Sequence, residues 1–150
     1  MVKTHKIPVS VLVVIYTSDQ QVLLLERADH PGYWQSVTGS CDPGESLHQT
    51  AVREVREETG LDVEKYALTD WNLQFEFEIF EEWRHRYAPG VTRNAEHVFG
   101  LEVPAPLDVV LAPMEHLNYM WLSREEAAKK VFSWTNAAAL EKLPQMVKRD

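Results

Sequence analysis

The stretch that decides the fold occupies positions 39–61 and reads GSCDPGESLHQTAVREVREETGL. Its first part contains Asp42-Pro43-Gly44, which predicts a sharply turning loop. Its second part predicts a helix with both ends marked. Ser46 and Gln49 form a capping-box pattern at the start, and Gly60 stands where a C-terminal cap belongs. The sequence therefore predicts a tight loop that leads directly into a well-delimited helix.

Three carboxylates share one face of this helix, because Glu54, Glu57 and Glu58 are spaced i, i+3 and i+4. Like charges at this spacing destabilise an isolated helix by a few tenths of a kcal/mol per pair. A hard divalent cation would offset the repulsion, and Mg²⁺ commonly bridges a few carboxylates to substrate phosphates. Arg53 can hold a neighbouring carboxylate in one rotamer through a bidentate contact. Taken alone, these residues are also compatible with a solvated, charge-rich helix face.

The complete pattern favours a metal-binding face over a solvated, charge-rich one. From Gly39 to Leu61 the order is Gly, five residues, Glu, seven residues, Arg-Glu, an aliphatic, one residue, Glu-Glu, one residue, Gly and an aliphatic. This order matches the Nudix box at every specified position, and the chain resembles a Nudix hydrolase. The resemblance implies Mg²⁺-dependent attack of water on a diphosphate linkage, with Mn²⁺ as the alternative ion.

Roles for individual residues follow from the resemblance, position by position. It implies that Arg53 orients the helix carboxylates and shares with them the catalytic role, and that Glu45 holds the loop against the helix. It also implies a metal-binding role for one carboxylate outside the helix. The implied metal ligands are Glu54, Glu57, Glu58 and Glu115.

The likeness extends beyond the box, over about residues 6–136. The similar segments are 6–10, 34–40, 75–80, 84–94, 115–117, 121–122 and 133–134. They are similar to a branch of the family for which the resemblance implies hydrolysis of dihydroneopterin triphosphate to its monophosphate and pyrophosphate, in folate biosynthesis. The box itself does not select a substrate, so a nucleoside triphosphate such as dATP stays an alternative. A non-catalytic nucleotide or pterin sensor is the alternative of another class, but all the acidic positions of the box are present.

Residues outside the box provide candidates for substrate binding. The guanidinium of Arg27 can meet phosphate oxygens bidentately, and Thr38 can offer a hydroxyl beside the closely approaching backbone of Gly39. The segment Phe77–Phe80 offers aromatic faces and backbone polar groups to a flat heterocycle, although ordinary sheet core is the alternative for its phenylalanines. Further cations are available at Arg84, Arg86 and Arg93. The predicted substrate-binding residues are Lys6, Arg27, Thr38, Phe77, Glu78, Ile79, Phe80 and Ser133.

The rest of the chain predicts further strands and helices. Val9–Tyr16 and Gln21–Arg27 are apolar, β-branched runs that flank a turn and predict a hairpin. The other predicted elements are strands at Trp34–Thr38, Trp71–Phe80 and Glu96–Val103, a helix opened by Ser123 and Glu126, and a helix over Asn136–Leu143. Strands and helices mix without regular βαβ alternation, which predicts the α/β class and a sandwich around a mixed sheet. The resemblance implies the Nudix-type α/β/α sandwich, as one domain over residues 1–150.

The composition limits the partners and the compartment. The formal net charge of −8 argues against nucleic-acid polymers and anionic membranes, whereas bound divalent cations would still admit a small anionic substrate. The lone Cys41 excludes an internal disulfide and indicates a reducing compartment. The run Val9–Tyr16 is too short to span a bilayer and predicts a buried strand. We therefore expect a cytoplasmic monomer whose partner is a small-molecule triphosphate.

Overall fold

The computed structural model describes residues 5–147, and its central element is strand β1 (Val9–Tyr16). Strand β1 pairs in parallel with β6 (Arg93–Glu102) along one edge. Along its other edge it pairs antiparallel with β4 (Val37–Ser40) and, at its end, with β2 (Gln21–Arg27). Residues 10–16 are all buried as a result. The apolar run that the sequence marks is therefore the central strand of the sheet.

Seven strands of the described chain form one mixed sheet, and five of them follow one path in the order β3 (Trp34–Gln35), β2, β1, β6 and β5 (Ala67–Glu78). Strand β5 pairs antiparallel with β6, and β3 pairs antiparallel with β2. Outside this path, β4 pairs with β1, and β7 (His116–Ser123) pairs antiparallel with β2. The mixed sheet confirms the predicted α/β class.

Helices cover both faces of the sheet. Helix α1 (Leu47–Thr59) packs on the face formed by alternate residues of β1, whereas α2 (Arg124–Lys130) and α3 (Trp134–Met146) pack on the opposite face. The first core contains Val11, Val13 and Ile15 together with Ala51 and Val55 of α1. The second core contains Leu12, Val14 and Tyr16 together with Ala127, Ala139 and Leu140. Because successive side chains of β1 point to opposite faces of the sheet, the strand contributes residues to both cores. The predicted α/β/α sandwich is confirmed.

Both ends of α1 lie where the sequence places them. The Ser46 side chain accepts a hydrogen bond from the Gln49 backbone, and the Gln49 side chain accepts one from the Ser46 backbone, so the capping box is complete. Gly60 ends the helix with φ of 74°, a left-handed conformation that favours glycine, and its N–H donates to the Arg56 carbonyl. Local capping chemistry therefore fixes the helix that carries the predicted carboxylates.

Several elements differ from the sequence-based boundaries. The strand predicted at Trp34–Thr38 is split at Ser36, whose backbone N–H donates to the Asn136 side chain instead of joining a sheet ladder. Strand β7 was not predicted, because its residues are mostly half-buried or exposed and give little alternation. Strand β5 begins at Ala67 and not at Trp71, and β6 begins at Arg93 and not at Glu96. Helix α3 begins at Trp134 and not at Asn136. In the described range, no helix has the length and apolar character needed to cross a membrane.

Candidate active site

One cleft of about 840 Å³ lies where α1, the sheet and the start of α3 meet. Its lining comes from both halves of the chain. It includes every residue predicted to be catalytic, metal-binding or substrate-binding: Arg53, Glu54, Glu57, Glu58, Glu115, Lys6, Arg27, Thr38, Phe77, Glu78, Ile79, Phe80 and Ser133. The fold therefore brings the predicted carboxylates, cations and aromatic residues together in one place.

Helix α1 presents an acidic face, formed by Glu54, Glu57 and Glu58, to this cleft. Glu54 and Glu58 are buried, whereas Glu57 is exposed. Burial raises the pKa of the Glu54 carboxyl, and burial together with the negative charges of Glu54 and Glu115 raises that of Glu58 well above its usual range. Within residues 5–147, neither carboxylate oxygen of Glu58 has a hydrogen-bond partner. A buried carboxylate in this condition is unfavourable unless a positive charge joins it.

Arg53 connects the acidic face to the preceding loop. Its Nε and Nη2 donate to the Glu45 carboxylate at 2.8 and 2.9 Å, and Nη2 also donates to the Ser40 carbonyl at 3.0 Å. Its Nη1 donates to Glu54 Oε1 at 2.6 Å and to Glu57 Oε2 at 3.3 Å. The guanidinium beside Glu45 lowers the pKa of that carboxyl to about 2. Arg53 thus fixes the loop on α1 and holds two carboxylates in defined positions.

Gly39 allows the acidic face to approach the sheet. A Cβ atom at this position would collide with the carboxylate of Glu54. A side chain here would push the Glu54 carboxylate out of this position, so glycine leaves room for the carboxylate that Arg53 holds. The glycine at the start of the predicted pattern is explained by this close approach, whereas Gly60 is explained by its positive φ.

The donor set on this side of the cleft fits a divalent cation. The unpartnered oxygens of the buried Glu58, together with the oxygens of Glu54 and Glu57, are the hard ligands that such ions prefer. In the part of the chain that the structure describes, no three His, Cys, Asp or Glu side chains converge tightly enough to ligate one ion, and Arg53 binds Glu54 and Glu57 instead. Glu115 lies in the exposed loop before β7, and its charge reaches Glu58.

His116 is a residue of this site that sequence reasoning missed. Its Nε2 atom lies 3.6 Å from Glu58 Oε1, and the imidazole is buried. Desolvation, followed by the positive charge of Arg27, lowers the pKa of His116 to about 4, so the ring is neutral at pH 7. A lone histidine next to Glu115 carries no spacing signal, and only the pairing of β7 with β2 brings it to the helix carboxylate.

Besides Arg53, the described lining of the cleft contains three cations beside the acidic face: Lys6, Arg27 and Arg86. Arg27 donates to both carboxylate oxygens of Asp29 at 2.7 Å and to Gln35 at 2.9 Å. The pKa of Lys6 is lowered, first by desolvation of its ammonium group and then by the charges of Arg86 and Arg27. The described lining does not include the other two candidate cations, Arg84 and Arg93, and Arg84 instead pairs with Glu78 at 2.8 Å.

An aromatic patch, formed by Phe80, Trp83 and Phe132, borders the same cleft. The rings of Phe80 and Trp83 stack with centroids 5.2 Å apart and planes 3° apart, and Phe132 meets both edge-on. The guanidinium carbon of Arg27 lies 4.4 Å from the Trp83 ring centre. Sequence reasoning found Phe80 but missed Trp83 and Phe132, because neither shows a periodic pattern with its neighbours in sequence.

The segment Phe77–Phe80 differs in one respect from the expectation. The N–H of Ile79 donates to the Thr92 carbonyl at 2.8 Å, and its carbonyl accepts from Arg84 Nε at 2.9 Å. These backbone groups are therefore already paired within the protein. Ser133 is likewise engaged, since its hydroxyl caps α3 by accepting from the Asn136 backbone. The aromatic faces of the segment, and not the backbone of Ile79, are available to a heterocycle.

Comparison with known proteins places the chain in a family. The model of the NUDIX domain matches residues 6–143. The chain belongs to the Nudix family. It is 51% identical over 142 residues to dihydroneopterin triphosphate diphosphatase of Escherichia coli, a match that covers 93% of each chain. It is 46% identical over 136 residues to the enzyme of the same name from Haemophilus influenzae, covering 89% of this chain and 85% of that one.

A solved structure agrees with this family assignment. The structure of the Escherichia coli dihydroneopterin triphosphate pyrophosphohydrolase superposes with a TM-score of 0.87 and 50% sequence identity, covering 93% of this chain and 97% of that chain. The predicted fold and the predicted membership among Nudix hydrolases are therefore confirmed. Enzymes of this family generally need divalent metal ions, which agrees with the donor set of the acidic face.

Proposed function

We propose that this protein hydrolyses dihydroneopterin triphosphate to dihydroneopterin monophosphate and pyrophosphate, a step of folate biosynthesis. The observation that carries the proposal is the 51% identity to dihydroneopterin triphosphate diphosphatase, because it extends over 93% of both chains. A likeness limited to the box would indicate only the family chemistry. This likeness extends over nearly the whole chain and is therefore not limited to the box.

The arrangement of the cleft supports a triphosphate joined to a flat heterocycle. The acidic face and the three cations line this cleft, where they would bind a chain of phosphates with its metal ions. The aromatic patch and Phe77 line the same cleft and offer ring faces to a heterocycle, next to Arg27, which stacks on the Trp83 ring. A volume of about 840 Å³ is within the usual range for a site that encloses a small molecule.

Glu54, Glu57, Glu58 and Glu115 would hold Mg²⁺ in this proposal, with Mn²⁺ as the alternative ion. When bound, the ion supplies Lewis-acid charge to the phosphates and lowers the pKa of the attacking water. Arg53 keeps Glu54 and Glu57 in position, since its Nη1 donates to both. Each of these roles rests on the resemblance and on the shared cleft.

The cations of the cleft are the basis on which we expect one particular bond of the triphosphate to be hydrolysed. Lys6, Arg27 and Arg86 are close enough to one another that the two arginines lower the pKa of the lysine. Such a cluster would neutralise several phosphate charges at once. We therefore propose that the outer two phosphates are held together and leave as one pyrophosphate unit.

Hydrolysis in ¹⁸O-labelled water tests this proposal. We expect pyrophosphate as the primary product, with mass spectrometry of both products locating the attacked phosphorus. Removal of divalent ions by a chelator should stop the reaction, and Mg²⁺ should restore it. Orthophosphate as the primary product would contradict the proposed division of the substrate. The absence of any turnover of dihydroneopterin triphosphate in the presence of Mg²⁺ would contradict the function itself.

Four narrower expectations stay predictions. They are a monomeric state, a cytoplasmic location, a single domain over the whole chain, and a lack of nucleic-acid partners. The nucleoside triphosphate alternative and the sensor alternative also stay open to test, but the position of the likeness outside the box favours the pterin substrate.

A further inference from the structure

Two buried polar side chains in the cleft have no part in the chemistry described above. Asn94 and Glu96 lie two residues apart on β6 and are 2% and 5% exposed. Both line the cleft. Among the residues that the structure describes, Asn94 Oδ1 and Glu96 Oε1 have no hydrogen-bond partner. Buried polar atoms are nearly always hydrogen-bonded, so two unpartnered acceptors in one cleft call for an explanation.

The two side chains belong to the sheet face opposite α1. Residues two apart in a strand point to the same face, and the next residue in this series, Val98, lies in the core beneath α3. In the register of β5 and β6, Asn94 stands opposite Phe77 and Glu96 opposite Phe75. The pair is therefore separate from the acidic face on α1 and lies beside aromatic side chains.

Their remaining contacts fix both groups in place. The Asn94 amide nitrogen donates to the Ser10 hydroxyl at 2.7 Å, which leaves its oxygen as the free acceptor. Burial raises the pKa of Glu96 to about 7, and the Thr135 hydroxyl partly offsets this effect. The start of α3 covers this end of the cleft, where the Trp134 ring meets Phe75 edge-on at 5.7 Å. The result is a part of the cleft that combines aromatic side chains with two unpartnered acceptors, which suits a flat ring.

We propose that Glu96 and Asn94 select the substrate by accepting hydrogen bonds from the ring N–H and the exocyclic amine of a 2-amino-4-oxopyrimidine edge. This inference rests on the proposed function for the triphosphate part of the substrate. A pterin and a guanine both present these two neighbouring donors. An adenine presents an amine but no neighbouring ring N–H, and a hypoxanthine presents the ring N–H without the amine. The chemistry of the two acceptors therefore matches one class of heterocycle.

The consequence is a preference that can be measured. A heterocycle that lacks one donor leaves a buried acceptor unpartnered, which reduces kcat/KM roughly tenfold to a hundredfold. GTP and ITP differ only in the 2-amino group, so their ratio isolates this contact from the triphosphate and the metal. We expect the wild-type protein to favour GTP over ITP by at least roughly tenfold.

The test compares Glu96→Ala with a matched control, Glu102→Ala. Glu102 lies on the same strand but does not line the described cleft. In a metal-free titration followed by the fluorescence of neopterin, we expect the Kd for this ring to rise about tenfold or more in Glu96→Ala and to stay unchanged in Glu102→Ala. Because GTP and ITP differ only in the amine, we expect the ratio of their kcat/KM to fall about tenfold or more in whichever of Glu96→Ala and Asn94→Ala removes the acceptor of that amine.

A second variant guards against a folding defect in the first. Asn94→Ala removes the other free acceptor, and thermal unfolding of each variant verifies that the fold is retained. We expect it to weaken neopterin binding about as strongly as Glu96→Ala does. If folded Glu96→Ala and Asn94→Ala both bind neopterin as the wild type does, the inference is overturned. If the wild type fails to hydrolyse dihydroneopterin triphosphate but the variants still change the ratio, the proposed function fails and this inference stands.

Discussion

Glu58 and Glu96 are buried carboxyl groups in the same cleft, and burial raises the pKa of both. The sequence predicts Glu58 because it shares a helical spacing with two other carboxylates and a fixed position in the box. It does not predict Glu96, because a single acidic residue in a strand carries no spacing of its own. Its place in the cleft follows only from the structure, in which it pairs opposite Phe75 and has an unpartnered oxygen. At the residue scale, the sequence predicts an acidic residue that belongs to a spaced group, but it does not predict a single acidic residue in a strand.

The charge of Glu58 is the residue-scale feature that we expect the reaction to need most. Glu58→Gln keeps the shape but removes the charge, so we expect kcat at saturating Mg²⁺ to fall roughly a hundredfold or more, equivalent to about 2.7 kcal/mol in the barrier. The fold should be retained, because a neutral amide replaces a buried carboxyl whose burial is unfavourable. Steady-state kinetics and thermal unfolding measure the two effects.

The matched control for this substitution is Glu141→Gln, at an exposed position on α3. It makes the same chemical change outside the described lining of the cleft and should leave kcat unchanged. Near-normal turnover of Glu58→Gln at saturating Mg²⁺ would show that the metal assignment is wrong.

At the element scale, the loop 41–45 and helix α1 act as one unit because Arg53 joins them. The sequence predicts this unit, since the turn, the capping box and the final glycine are all local signals. It also predicts β1, whose apolar run is buried on both faces. It does not predict β7 or the interruption at Ser36, because these depend on β2 and on Asn136, which are distant in sequence.

The ion pair of Glu45 and Arg53 makes this unit sensitive to acid. Arg53 lowers the pKa of Glu45 from its ordinary value of 4.5 to about 2 in the folded state. Between these values the unfolded state binds the proton more readily, so the stabilisation is present above about pH 4.5 and is lost as the pH falls towards 2. Because the pair is partly solvated, we expect it to contribute only about 1 kcal/mol.

Urea unfolding of the wild type and of Glu45→Gln from pH 2 to pH 6 measures this contribution. The variant should be less stable than the wild type at pH 6, and the difference should disappear near pH 2. Other groups titrate alike in both proteins and cancel in the comparison. A difference that stays constant across this range would contradict the role given to the ion pair.

At the scale of the whole molecule, the cleft joins the two faces of the sheet. Helix α1 contributes the acidic face, whereas β5, β6 and the start of α3 contribute the aromatic and polar groups for a heterocycle. The resemblance predicted which residues would meet, but the packing decides which groups are free. The Ile79 backbone is already paired, and the additional rings of Trp83 and Phe132 come from separate segments.

The most direct test of the central claim is a comparison of kcat/KM for dihydroneopterin triphosphate, dATP and dGTP with Mg²⁺, with the products resolved. The protein should favour dihydroneopterin triphosphate by at least roughly tenfold over either nucleotide. An adenine lacks the ring N–H that the buried acceptors require, and a guanine carries both donors on a purine joined directly to a ribose, so its ring and its phosphates are spaced differently. Metal and phosphate contacts are common to all three substrates and cancel in the ratio. An equal or higher kcat/KM for dATP would contradict the account and assign the protein to nucleotide hydrolysis.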